Sequence, residues 1–165
     1  MSAALSYERV KEHLLALTLN AAHDQLDNVL EAGQKQAHTP VEIIDELLLR
    51  ERDTRFQRRI KTNLRLSNIA TPKTLEDFDF EAQPQVPKKV IDELTTLRFV
   101  HSGENVLLLG PPGVGKSHLA RGLGIKAIQA GHRVYFLTLH DLVAKAKNAR
   151  QRQRLDNFLR TLTRY

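Results

Sequence analysis

The residues with the clearest chemical meaning form one glycine-rich loop, Gly110 to Ser117. Its sequence, GPPGVGKS, matches the phosphate-binding pattern G-x-x-x-x-G-K-[ST] at every fixed position. Gly113 and Gly115 allow the backbone to take positive φ and to approach a phosphate without a Cβ in the way. The N–H groups of the loop and the positive end of the following helix would then surround a β-phosphate.

The side chains that follow the last glycine complete the predicted site. Lys116 would reach the β- and γ-phosphates as a point charge, and the Ser117 hydroxyl would ligate Mg²⁺. A glycine-rich turn that only joins a strand to a helix is the alternative, but the full pattern arises by chance in roughly a few per thousand chains of this length. The sequence therefore predicts that ATP and Mg²⁺ are bound by nine residues: Gly110, Pro111, Pro112, Gly113, Val114, Gly115, Lys116, Ser117 and His118.

The net charge of +6 is distributed unevenly along the 165 residues. Residues 41–75 carry a net +3 and residues 141–165 a net +5, whereas residues 76–105 carry −4. Basic blocks on either side of an acidic segment suggest a polyanionic partner, and nucleic acid is the first candidate. The chain has no cysteine and no apolar run of membrane-spanning length, so we expect a cytoplasmic protein without a membrane partner.

The first part of the chain is expected to be entirely helical. The apolar spacing predicts one helix from Ser6 to about Ala32, with Gly33 as the residue after its C-cap. The sequence TPVE from Thr39 to Glu42 is a capping box with proline at the first helical position, which predicts the start of a second helix. The two helices are expected to pack as a hairpin.

The second helix becomes strongly basic beyond Arg50, while its apolar residues keep a period of four. This pattern favours contact with the phosphate backbone of DNA. A solvated helix face with internal pairs such as Glu51–Arg55 is the alternative. The predicted DNA-binding residues are Arg52, Arg55, Arg58, Arg59, Lys61 and Arg65.

The remainder of the chain alternates between strand-like and helical patterns. Residues 106–109 and 133–138 are expected to form strands, separated by a helix from Lys116 to about Ala130. Another helix is expected from Lys88 to about His101. Three parts are therefore predicted: a helical domain over residues 1–70, a linker with Pro72 over 71–87, and the first part of an ATPase domain over 88–165.

Two aromatic residues of the linker, Phe78 and Phe80, leave two interpretations open. They could flank an adenine ring, but packing against the edge of the second domain is the favoured interpretation.

The sequence after the loop lacks the side chains that ATP hydrolysis requires in addition to the loop. Hydrolysis requires an acidic residue that helps to hold Mg²⁺ and a group that positions water, and these normally follow a later apolar strand. Beyond Ser117 the only acids are Asp141 and Asp156, and both lie in helical patterns. No catalytic residue is predicted, and hydrolysis by this chain is doubtful.

Taken in order, the helical hairpin, the basic helix, the segment LEDFDF (Leu75–Phe80), GPPGVGKSHLA and GHRVYF (Gly131–Phe136) resemble the IstB-like transposition helper ATPases. These are related to the DnaC-type helicase loaders of the AAA+ class. The resemblance covers essentially the whole chain. It implies an α/β P-loop NTPase fold of AAA+ type, here with a partial sheet, preceded by a small all-helical domain.

The resemblance also implies function. Members bind ATP and DNA, form homo-oligomers and assist a transposase in choosing target DNA. The chain looks like a truncated member, and its two strands are expected to lack their neighbours in the sheet. There are two alternatives. The chain could act as a helicase loader, or it could be a DNA-binding or oligomerisation module that does not hydrolyse ATP.

Overall fold

The structure, a computed structural model, describes residues 3–71 and 73–165. Pro72 of the predicted linker lies outside the described residues. The chain divides into two compact units, Met1–Arg59 and Ile60–Tyr165. The helices of the described residues are α1 (Ala3–Ala16), α2 (Asn20–Lys35), α3 (Pro40–Leu66), α4 (Lys88–Leu94), α5 (Arg98–Ser102), α6 (Lys116–Gln129), α7 (Leu139–Gln151) and α8 (Leu155–Leu162).

The first unit begins with two helices where the sequence predicts one, so that prediction is wrong. Thr18 adopts a left-handed conformation (φ +58°) and ends α1. The N–H of Leu19 donates to the carbonyl of Leu14 over 2.8 Å, which satisfies an orphan carbonyl of the last turn. The corner allows both helices to contribute to one core, formed by Leu14, Ala22, Leu26, Val29 and Leu47.

Gly33 does not follow the C-cap of α2, as predicted, but lies inside the helix, which continues to Lys35. A Cβ at Gly33 would lie 2.7 Å from Cγ1 of Ile43, so the glycine allows α3 to approach α2 closely. The turn that ends α2 is made instead by Ala37 (φ +53°) and by a hydrogen bond from the N–H of His38 to the carbonyl of Gly33.

The predicted capping box at the start of α3 is confirmed. The N–H of Thr39 donates to the Glu42 carboxylate over 2.6 Å, and the N–H of Glu42 donates to Oγ1 of Thr39 over 3.4 Å. The Thr39 hydroxyl also donates to the Glu42 carboxylate, over 2.8 Å. The bonds from the N–H and the hydroxyl of Thr39 lower the pKa of Glu42 below its ordinary value, because they stabilise the ionised carboxylate. The helix then continues without interruption to Leu66.

Glu51 of α3 is buried and supplies the cap that α2 lacks. The N-cap residue of α2, Leu19, offers no side-chain acceptor, but the Glu51 carboxylate accepts the N–H of Ala22 over 2.9 Å. Arg55 donates to the same carboxylate over 2.6 Å and to the carbonyl of Thr18 over 2.8 Å. Burial opposes ionisation of Glu51, but the bonds from Ala22 and Arg55 outweigh it and lower its pKa.

The second unit corrects the predicted fold class. Its described residues contain no strand, so the expected α/β P-loop sheet is not formed. The segments 106–109 and 133–138, predicted as strands, form no ladder with another described segment. A strand is stable only when a neighbour accepts and donates its backbone hydrogen bonds. Here the N–H of Phe136 donates instead to the carbonyl of Ser67, and the side chain of Asn68 donates to the Phe136 carbonyl.

The helix predicted from Lys88 to His101 is also divided, into α4 and α5. Leu97 takes a left-handed conformation (φ +59°) between them and buries its side chain. The hydroxyls of Thr95 and Thr96 each donate to a carbonyl three residues earlier, which competes with continuation of the helix. The helix predicted from Lys116 is confirmed as α6, and Gly131 follows it with φ +91°.

The core of the second unit lies on one side of α6 and contains Leu75, Phe78, Ile91, Leu119 and Leu123. Within residues 3–71 and 73–165, no helix is both long and apolar enough to cross a membrane.

Replacing Glu51 by glutamine is expected to lower the free energy of unfolding by about 1–2 kcal/mol at neutral pH, because the charged acceptor of Ala22 and Arg55 is lost. The pKa of Glu51 is lowered by folding, so its contribution is present above the unfolded pKa and disappears as pH falls through the folded pKa. Urea denaturation followed by circular dichroism should therefore show the difference shrinking below about pH 4.

Glu46→Gln is the matched control, since Glu46 makes an i,i+4 pair with Arg50 on the same helix but is partly exposed. Its cost should stay near or below about 0.5 kcal/mol. Equal losses in the two variants would contradict the capping role of Glu51.

Candidate functional site

The backbone of the glycine-rich loop has the conformation that its sequence predicts. Gly113 and Gly115 have φ of +87° and +85°, in the region that L side chains rarely adopt. Apart from its chain neighbours, no described residue comes within 4 Å of the position that a Cβ on Gly113 would occupy, so this part of the loop faces open space. The loop therefore exposes backbone to a ligand where the pattern places the phosphates.

Helix α6 begins at Lys116, directly after the loop, and its N-terminus has no side-chain cap. Its N-cap residue is Gly115, which cannot supply an acceptor. The first N–H groups of a helix have no partner within the helix and carry partial positive charge. Ser117 lies exposed in this first turn. The arrangement suits an anion bound at the start of the helix.

Lys116 turns back over the loop. Its ammonium group donates to the carbonyl of Gly110 over 2.8 Å and to the carbonyl of Pro111 over 2.6 Å. Two of its three donor positions are thus held by the loop backbone. The positive charge is thus held against the backbone at the start of the glycine-rich loop.

The loop rests on a short segment of the predicted linker, Thr74–Phe80, which we call the supporting segment. A Cβ on Gly115 would overlap the ring of Phe78, so the glycine is required both by its φ and by this contact. The Phe78 ring is buried and meets the ring of His118 edge-on, with centroids 5.2 Å apart. Of the two interpretations of Phe78, packing against the second unit is the one that the structure shows.

His118 connects the supporting segment to the first turn of α6. Its Nε2 lies 2.6 Å from the carbonyl oxygen of Thr74, so this nitrogen carries the proton and donates. The ring of His118 is therefore hydrogen-bonded to Thr74, and the backbone N–H of His118 lies in the first turn of the helix. Its place in the nucleotide-binding set stays a prediction.

Two further contacts extend the same interface along α6. A Cβ on Gly122 would lie 2.6 Å from Cδ2 of Leu75, so the helix needs a glycine where Leu75 crosses it. Lys126 pairs with Glu76 over 2.7 Å, and this hydrogen bond lowers the pKa of the Glu76 carboxyl. The contacting residues are three or four positions apart and so share one face: the N-cap residue Gly115, and His118, Gly122 and Lys126 of α6.

The supporting segment has its own internal brace. The Asp77 carboxylate accepts the hydroxyl of Thr74 over 2.7 Å and its N–H over 3.0 Å. These two bonds lower the pKa of Asp77. The sequence did not reveal the roles of Thr74, Asp77 and Gly122; small residues on one face of α6 were the only available signal.

The six residues predicted to bind DNA all lie on α3, and they differ in their partners. Arg55 is held by Glu51 and Thr18, and Arg52 pairs with Asp53 over 3.1 Å. The pair Glu51–Arg55, which the alternative interpretation predicted, is thus confirmed. All six residues of the set are exposed: Arg52, Arg55, Arg58 and Arg59 in the first unit, and Lys61 and Arg65 in the second.

Lys61 and Arg65 line a cavity of about 490 Å³ in the second unit, together with Leu64, Asn68 and Ile69. Two cations beside an amide form a surface that is chemically suited to a phosphate group.

The loop and α6 together place glycines at positive φ before an uncapped helix N-terminus, which is the arrangement that nucleotide-binding proteins use. The model of one family, the IstB-like ATP-binding proteins, matches residues 11–165. The chain belongs to this family, which confirms the resemblance seen in its sequence.

Several curated proteins of insertion sequences, each named for ATP binding, are similar to the chain. The protein of IS21 from Pseudomonas aeruginosa is 44% identical over 84% of this chain and 52% of its own length. That of IS5376 from Geobacillus stearothermophilus is 38% identical over 95% of this chain and 62% of its own. The protein of IS232 from Bacillus thuringiensis subsp. berliner is 34% identical over 97% of this chain and 64% of its own length. The chain thus spans between about half and two thirds of the length of these relatives.

Two glycines of α6 offer a matched test of the supporting segment. Gly122→Ala places a methyl group against Leu75, and we expect the free energy of unfolding to fall by about 1–3 kcal/mol. In Gly124→Ala the new methyl group meets only side-chain atoms of Val134 at 3.3 Å and Ile69 at 3.5 Å, and the gain in helix propensity offsets this contact, so the change should stay within about 1 kcal/mol. Urea denaturation of both variants checks this. Equal effects would show that Leu75 does not pack on α6 as described.

Proposed function

We propose that the chain binds ATP with Mg²⁺ through residues 110–118 and acts as a helper protein in the transposition of an insertion sequence. The observation that carries this proposal is the loop itself: glycines at positive φ precede an uncapped helix, and Lys116 is held over the loop. The names of the relatives, which refer to ATP binding in insertion sequences, support the same function.

The residues present fit the nucleotide and its metal ion. The loop backbone and the N–H groups of the first turn of α6 would hold the phosphates, and Lys116 would exchange its loop carbonyls for phosphate oxygens. The Ser117 hydroxyl, exposed in that turn, would ligate Mg²⁺. The bound metal ion would neutralise part of the phosphate charge.

DNA is the second proposed ligand, with a transposase and further copies of the chain as protein partners. The support for DNA is electrostatic: on α3, Arg58 is exposed and makes no ion pair within the described residues. Its guanidinium can therefore contact a phosphate without losing an ion pair, whereas Arg55 would have to leave Glu51.

Lys116→Ala is expected to weaken the binding of a fluorescent ATP analogue by at least about tenfold, because the loop loses the charge that faces the phosphates. Lys89→Ala removes one exposed cation from α4 and should leave binding unchanged. A phosphate-release assay on the same samples is expected to show no turnover above background, since the acids beyond the loop lie in α7 and α8.

Unchanged binding in Lys116→Ala would overturn the assignment of the loop. Turnover that disappears in Lys116→Ala would keep the assignment but would contradict the expectation that the chain binds without hydrolysis.

Arg58→Gln is expected to weaken duplex DNA binding about fivefold and to reduce the slope of log K against log salt by about one, as for the loss of one phosphate contact. Arg50→Gln is the control on the same helix, because Arg50 is already paired with Glu46. Fluorescence anisotropy at several salt concentrations measures both. The same slope for the two variants would argue against a phosphate contact by Arg58.

A further inference from the structure

A second candidate binding site lies away from the loop, in a cavity of about 480 Å³ bordered by α7 and α8. Its lining combines aromatic rings with cationic groups. The lining residues that carry the argument are Tyr135, Phe158, Tyr165, Lys145, Arg152 and Arg154. This combination differs from the basic run of α3 and from the glycine-rich loop.

The aromatic part of the cavity is held in place by its own contacts. The rings of Tyr135 and Tyr165 lie 5.1 Å apart with an angle of 30° between their planes. Lys145 donates to the Tyr135 hydroxyl over 2.6 Å, and its ammonium group lies 5.1 Å from the centre of the same ring. Tyr165 remains 44% exposed, so the aromatic pair is open to a ligand. A flat aromatic ring could stack on it.

The cationic part of the cavity is fixed by the turn between the two helices. Gln153 takes φ +54°, and the N–H of Arg154 donates to the carbonyl of Ala149 over 2.8 Å. Arg152 and Arg154 flank Gln153 in this turn, and both arginines are exposed. Neither makes an ion pair within the described residues, and from Leu142 onward Asp156 is the only acid in the sequence. No ion pair therefore neutralises either arginine.

We propose that this cavity binds single-stranded nucleic acid, with a base stacked on the aromatic rings and neighbouring phosphates on Arg152 and Arg154. Aromatic platforms beside cationic grooves bind unpaired strands with little sequence preference, because every base has a π-face. Bases in a duplex are already stacked on one another and do not offer that face. The site would distinguish unpaired strands from duplex DNA.

The proposal is independent of the ATP site, and the chain's composition provides a direct readout. There is no tryptophan, and two of the three tyrosines line the cavity. Stacking of a base on Tyr165 should therefore quench a large part of the intrinsic tyrosine emission. Titration with an oligothymidylate of about 15 nucleotides is expected to quench this emission, and a duplex of equal length should quench it much less.

Two pairs of substitutions with the same change of charge locate the site. Arg152→Gln with Arg154→Gln should weaken oligothymidylate binding about tenfold in fluorescence anisotropy. Arg160→Gln with Arg164→Gln also removes two charges, but neither residue lines the cavity, so the loss should stay within about threefold. Equal losses in the two pairs would overturn the proposal in favour of diffuse attraction.

Tyr165→Ser tests the stacking contact at an exposed residue of the last turn, where loss of the ring leaves the cores of both units intact. It should weaken oligothymidylate binding about fivefold or more and remove most of the quenching. Lys89→Ala removes an exposed cation from α4 and should bind the strand as the unchanged chain does. The proposal fails if duplex DNA or a free mononucleotide quenches the emission as strongly as the strand at equal nucleotide concentration, or if the strand does not bind.

Discussion

The packing of the supporting segment on α6 is the contact on which the loop depends. A phosphate-binding loop has few side chains of its own, so its shape must come from what lies beneath it. Here the ring of Phe78 lies against Gly115, His118 donates to Thr74, and Leu75 occupies the space left open by Gly122. The glycine at position 115 thus satisfies two constraints together, a positive φ and a close contact with a buried ring.

A comparable constraint organises the first unit, where one buried carboxylate joins three helices. Glu51 accepts the N–H of Ala22 at the start of α2, and Arg55 connects it to the carbonyl that ends α1. Removing the Glu51 carboxylate would leave the N–H of the buried Ala22 without its acceptor, which costs more than an exposed ion pair is worth. The basic run of α3 therefore has mixed roles. Arg55 stabilises the fold, while the exposed Arg58 is the residue proposed to meet a polyanion.

Features set by neighbouring residues could be predicted from the sequence. The loop pattern fixed the positions of the positive-φ glycines, and the capping box fixed the start of α3. The start and end of α6 were predicted for the same reason. These features depend on local backbone geometry, which a few adjacent residues determine.

Features that depend on distant contacts could not be predicted. The turns at Thr18 and Leu97 place non-glycine residues in a left-handed conformation, which tertiary packing imposes against local preference. The sequence predicted Gly33 at the end of a helix. The contact that requires a glycine there is with Ile43 of another helix, and neighbouring residues give no signal of it. The expected sheet failed for a similar reason: residues 106–109 and 133–138 have the composition of strands, but composition does not supply a neighbour with which to form hydrogen bonds.

We propose that the loop and the first turn of α6 bind the nucleotide phosphates, and that the supporting segment holds the loop in place. An amide ¹H–¹⁵N titration of the chain with ATP and Mg²⁺ tests this most directly. The largest shifts are expected at the N–H groups of residues 113–118, with smaller shifts at Thr74 and Phe78. Saturating nucleotide that leaves the loop amides unchanged, or that shifts only amides of α7 and α8, would contradict it.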